Sequence, residues 1–181
     1  DGLSGSVQVD ATAEDWLDSR GQLTLERAVL NADARLTDVP VVALDRLAGM
    51  GGVLEAALGD PLNATFTLKD STLQAQLDTP LLKMALQGSM GDGLLTLSEP
   101  GELSWQMTPQ LVGKVASDSG MALLQSVTLR TRIEQLQLPL GEPDPAAVRL
   151  TANISTDRAI ALRLEDAETV RIEALQAQLA T

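Results

Sequence analysis

The residues best equipped for chemistry in this chain are its carboxylates. Glu14, Asp15 and Asp18 surround Trp16, Glu142-Pro143-Asp144-Pro145 forms a second acidic group, and Glu165-Asp166-Ala167-Glu168 a third. Two converging acids suffice for glycoside hydrolysis, and a denser cluster can hold Ca²⁺. The first group matches no EF-hand spacing, and the other two read as acidic loops between strands. A sugar site would also want aromatic platforms, and Trp16, Phe66 and Trp105 are the only aromatics present. With no His, Cys or Tyr, the chain has no imidazole base, thiol nucleophile, disulfide or Cys/His zinc site. No catalytic residue, metal or cofactor is therefore expected, and the chain reads as a non-enzyme.

Other motifs dissolve in the same way. Gly49-Met50-Gly51-Gly52 is superficially like a phosphate-binding loop, but it follows no strand and no Gly-Lys-Ser/Thr completes it, so it reads as a helix break. Asn63-Ala64-Thr65 and Asn153-Ile154-Ser155 match a glycosylation acceptor pattern, yet both fall within strand-like runs. Lys69, Lys83 and Lys114 form no run and read as solvent-facing or edge-guarding charges.

The 181 residues carry 13 Lys+Arg against 25 Asp+Glu, a net charge of −12. Such a balance opposes phosphate backbones and anionic bilayer surfaces, so nucleic acid is excluded as an expected partner. The chain is 44% apolar and long enough for one β-rich domain, residues 1–181, with a real core. Leu, Val, Ile and Ala fill it almost alone, with 33 Leu against a single Phe. No stretch approaches the ~18 consecutive apolar residues of a membrane span, and any targeting segment is expected to be removed or to lie elsewhere. The lack of Cys suits cytoplasm and Gram-negative envelope alike.

What must position these side chains is sheet. Alternation runs through Leu62, Ala64, Phe66 and Leu68, then Leu73, Ala75 and Leu77, then Leu82, Met84 and Leu86. Lys69-Asp70, Asp78-Thr79-Pro80, Met90-Gly91-Asp92-Gly93 and Glu99-Pro100-Gly101 read as short hairpin connections. Longer strands follow through Leu129 and Ile133, Leu150 and Ile154, and Ile160 and Leu162, about eleven in all with two near Leu3–Ala11 and Leu23–Leu36. Two helical inserts interrupt them, at about residues 39–58 and 109–117, each opened by a proline and each an amphipathic cover. Arg132-Ile133-Glu134-Gln135-Leu136-Gln137 is echoed by Arg171-Ile172-Glu173-Ala174-Leu175-Gln176, 39 residues on. In both copies the apolar spacing slips to three, which predicts a bulge or a change of inward face.

The expected fold is mainly β, a curved or rolled antiparallel sheet whose apolar face is covered by two short amphipathic helices. Such helices hide less apolar area than so many strands present. The surplus defines a candidate acyl-chain groove at Leu62, Phe66, Leu73, Leu77, Leu82, Met84, Leu86, Leu129, Ile133, Leu150, Ile154, Ile160 and Leu162. The same residues would equally serve a closed sandwich core, in which case the chain is a protein-binding or scaffold module with no lipid ligand.

The run from Leu36 to Gly49, followed by Gly52-Val53-Leu54-Glu55-Ala56-Ala57-Leu58-Gly59 and a strand from Pro61, resembles segments of AsmA-like envelope proteins. Gly88 to Leu97 and Gly101-Glu102-Leu103 keep the same cadence. These are repeating β-groove proteins related in style to bridge-like lipid-transfer proteins. The resemblance implies a periplasmic, non-enzymatic segment of a longer cell-envelope chain, in contact with lipid acyl chains and with neighbouring segments or envelope proteins. Lipid transport or outer-membrane homeostasis would be its role.

Overall fold

The computed structural model describes residues 4–14, 29–91, 93–140, 147–164, 169–173 and 175–180. Among them the fold is mainly β. Strands β1 (Ser6–Glu14) and β2 (Val29–Val39) precede helices α1 (Val41–Ala48) and α2 (Val53–Leu58). Next come β3 (Leu62–Lys69), β4 (Thr72–Asp78), β5 (Leu82–Gly91), β6 (Leu94–Leu97) and β7 (Gly101–Met107), then helix α3 (Pro109–Val115). The rest is β8 (Ala122–Leu123), β9 (Val127–Pro139), β10 (Arg149–Thr156), β11 (Ile160–Arg163), β12 (Thr169–Ile172) and β13 (Gln176–Ala180).

One large antiparallel sheet runs β1-β2-β3-β4-β5-β6-β9-β10-β13, with β7 also wedged between β5 and β9. A small sheet, β12-β11-β8, stands apart from it. The hairpins follow their turn residues. Asp70 and Ser71 both take positive φ, the two-residue turn whose twist matches its strands, and Lys69 faces Thr72 across it.

Several elements depart from the sequence reading. The first helical insert does break at its glycines as expected, α1 stopping on a left-handed Gly49 and α2 starting only after Gly52. The second ends at Val115, followed by a 3₁₀ turn at Ser117–Ser119. Among the described residues the two expected inserts thus hold three helices, and thirteen strands stand where about eleven were expected. Glu99-Pro100-Gly101 makes no hairpin. β6 and β7 run the same way and share one position, both pairing with β5 and with β9. Pro100 cannot donate to a ladder, so the strand breaks there and resumes without reversing. β1 starts three residues later than expected and β2 begins at Val29, while Leu23–Ala28 lie outside the described residues. So do Asp15, Trp16 and Asp18, Glu142 to Pro145, and Glu165 to Glu168.

The echo finds a physical cause in its first copy. Ile133 pairs with Ala152 and Gln135 with Thr151, so Glu134 is an extra, bulged residue. The bulge lets Ile133 and Leu136, three apart, both face the side that holds Ala152 and Leu150. In the second copy the slip falls where the chain leaves the small sheet at Ile172 and joins the large one at Gln176. Each copy carries the same ion pair, Arg132 to Glu134 at 2.9 Å and Arg171 to Glu173 at 3.1 Å.

The buried core is two compact clusters. Val39, Val41 and Leu62 are packed by Leu44, Leu54 and Leu58 of the first two helices and by Leu36, Ala64 and Leu77 of the sheet. Leu123, Val127 and Ile160 are packed by Met107, Val112 and Leu162. Val41 and Val127 are fully buried at 0% exposure, whereas Val9 on β1 is 64% exposed. Val41→Ala and Val127→Ala should each cost about 2 kcal/mol, the lost methyls plus the cavity. Val9→Ala should change stability by less than about 0.5 kcal/mol. Urea unfolding of the three variants checks the contrast.

Candidate functional site

Residues directly opposed in a ladder put their side chains on the same face. One such row crosses eight strands: Leu36, Ala64, Leu77, Met84, Leu103, Thr131, Ile154 and Ala177. The adjacent row reads Ala34, Phe66, Ala75 and Leu86, and the next Ala32, Leu68, Leu73, Gly88 and Leu97. The reverse face is mostly polar, with Ala85 and Leu94 among its exceptions. One row there holds Asn63, Asp78, Lys83, Ser104, Arg130, Ser155 and Gln176.

Ten of the thirteen residues expected in a groove share this apolar face without being fully buried themselves, although Leu77 also packs against the first core cluster. They are Phe66, Leu73, Leu77, Leu82, Met84, Leu86, Leu129, Ile133, Leu150 and Ile154, half-buried except for Phe66, which is 39% exposed. Leu62 lies on the same face but is buried beneath the first helices. Ile160 and Leu162 belong to the small sheet and pack in the second core cluster, so they do not extend the large face. Sequence reading left out Val7, Val9, Leu36, Leu68, Leu97, Leu103 and Leu136, which the pairings bring onto it. Their alternation was visible, but only pairing registers could say that separate strands share a side.

The helices close one end of this face. Trp105 on β7 donates its indole N–H to the Ala57 carbonyl of α2 at 2.9 Å, and the Leu81 N–H donates to the Leu58 carbonyl at 3.0 Å. Lys114 Nζ of α3 donates to the Gly51 carbonyl at 2.9 Å, tying the third helix to the first two. Among the described residues, the helical packing residues of the two core clusters do not extend to the other strand ends around Leu73, Leu97 and Leu136, where Leu68 is nonetheless buried.

A hollow of about 730 Å³ lies on the polar face, among Lys83, Glu102, Ser104, Arg130, Arg132 and Asn153. Its cations are exposed. Lys83 pairs with Asp78 at 3.2 Å and Arg132 with Glu134, leaving a wet, mixed-charge surface.

The carboxylates with displaced acidity are structural acceptors. Asp45, buried in α1, accepts the backbone N–H groups of Gly52 and of Leu54, the latter at 2.7 Å, and so caps α2 from the preceding helix. Burial pushes its pKa up, but those N–H bonds, a further one from Glu55 and the charge of Lys114 hold it below the ordinary 3.8. Asp157 accepts from the Thr128 N–H at 2.9 Å, and this bond above all lowers its pKa too, against the opposing effect of burial. Both shifts run opposite to those of a general acid held protonated at neutral pH.

No protein family, curated protein or solved structure matches the chain.

Because the folded pKa of Asp45 is depressed, its charge stabilises the protein fully above its unfolded value, and that contribution disappears as pH falls through the folded value. Asp45→Asn should therefore melt at a lower temperature than the parent at pH 7. The gap should narrow progressively as pH drops below 3.8. Thermal melts of both proteins from neutral to acid pH provide the check, and a gap that widens in acid would reject the assignment.

Proposed function

We infer that this chain is a lipid-contacting segment of a cell-envelope protein, with acyl chains lying along the apolar face of its large sheet. The observation that carries this reading is the apolar face built on the row from Leu36 to Ala177, interrupted only by Thr131, which among the described residues is covered by helices at one strand end. Linear and branched alkyl side chains suit hydrocarbon because they offer contact without directional demands, and each methylene buried gains about 0.8 kcal/mol. The polar reverse face keeps the assembly wetted while the apolar face is occupied. The AsmA-like cadence of residues 36–59 supports a periplasmic setting and a role in lipid movement or outer-membrane homeostasis.

The test is delipidated protein incubated with fluorescent phospholipid and run on a native gel, where co-migration is expected. A photo-crosslinking amino acid at Leu86 should then capture the lipid, and the same group at Gln76, on the reverse face, should not. Absence of co-migration at micromolar protein, or equal capture at the two positions, rejects the reading.

A further inference from the structure

Among the described residues, strand β1 is an edge of the large sheet, paired with β2 alone. All nine of its residues are exposed, with Val7 at 65% and Val9 at 64%. Edge strands are normally blunted by lysine, proline, a bulge or short length. β1 has no lysine, proline or bulge, and its charges, Asp10 and Glu14, stand on the polar side: Ser6-Val7-Gln8-Val9-Asp10-Ala11-Thr12-Ala13-Glu14 pairs with β2 in unbroken register over its whole length.

The sequence of β1 is self-complementary about Val9. Turning a second strand by 180° about an axis perpendicular to the sheet makes it antiparallel to the first while keeping its apolar side on the same side. With that axis at Val9, each Val9 faces its symmetry mate, Val7 faces Ala11, and Ser6 faces Thr12. On the polar side Gln8 faces Asp10, an amide donor opposite a carboxylate, and it does so twice. Placing the axis one residue later would set Asp10 against Asp10, which like-charge repulsion disfavours.

We propose that β1 pairs with β1 of a second copy in this Val9-centred register, forming a symmetric dimer through strand addition. The two large sheets then become one, with their apolar faces on a common side. Seven paired residues make a small interface of the transient class. Each copy carries −12, so association should strengthen as salt screens the repulsion. The pairing needs no acyl ligand, so it stands or falls separately from the lipid reading.

The 181 residues include no Cys, which makes disulfide trapping clean. Opposed residues of an antiparallel pair sit about 4.5–5.5 Å apart at Cα, within disulfide reach. Under mild oxidation, Val9→Cys should form a covalent dimer about tenfold faster or more than Val115→Cys, an equally exposed position on α3. Sedimentation of Cys-free variants gives a second readout. Gln8→Lys, which places a cation opposite Asp10, should tighten self-association several-fold, and Gln8→Asp should weaken it. Equal trapping at positions 9 and 115, no trapping at 9, or identical sedimentation of the two Gln8 variants would each overturn the pairing.

Discussion

Everything else in this molecule depends on one constraint, the two-residue alternation of polarity held in register from strand to strand. Because a one-residue slip would throw a whole strand's apolar set onto the wetted face, each hairpin must reverse the chain without changing that phase. Asp70 and Ser71 do so with a two-residue turn, and Thr79 does so by bonding both the N–H and the carbonyl of Leu82. Where the sequence spaces two apolar residues by three, the structure spends a bulge at Glu134 to keep both on the same side. The result is a sheet with two chemically opposite faces.

Much of this was legible from the residues alone. The strands between Leu62 and Leu86, their hairpins and the helix break at Gly49–Gly52 follow from period and turn chemistry. What could not be read was partnership. The collinear arrangement of β6 and β7 depends on β5 and β9 offering one continuous slot, a long-range fact that no local window contains. Ile160 and Leu162 look identical to the groove residues in pattern, yet they fall in a separate sheet because β11 pairs with β8 and β12. Leu62 was on the right face but at the end that α1 and α2 cover.

The helical end is organised by polar contacts that apolar periodicity does not announce. α1 has no capping side chain of its own at Pro40; the Val41 N–H is instead accepted by Asp60 Oδ1 at 2.6 Å, from beyond α2. α2 borrows Asp45 in the same way. Each helix is too short to persist by propensity, since isolated helices below about 12 residues are marginal in water. Side chains from neighbouring elements supply the acceptors, and burial of Val41 against Val39 and Leu62 supplies the driving force.

This division of labour bears on what the carboxylates are for. An excess of acids in a chain without His invites a search for a catalytic pair, yet Asp45 and Asp157 accept backbone N–H bonds that lower their pKa values. Asp78 and Glu134 offset Lys83 and Arg132 on the wetted face. The remaining charge keeps the polar side hydrated and opposes collapse of one copy onto another. Face-to-face stacking of two aliphatic surfaces would relieve each of water as effectively as lipid does. Charge repulsion among copies at −12 each, acting over about 10 Å at ordinary salt, weighs against that broad, register-free association. It weighs less on edge pairing, where directional backbone hydrogen bonds add to the attraction and the two charged faces meet only along a line.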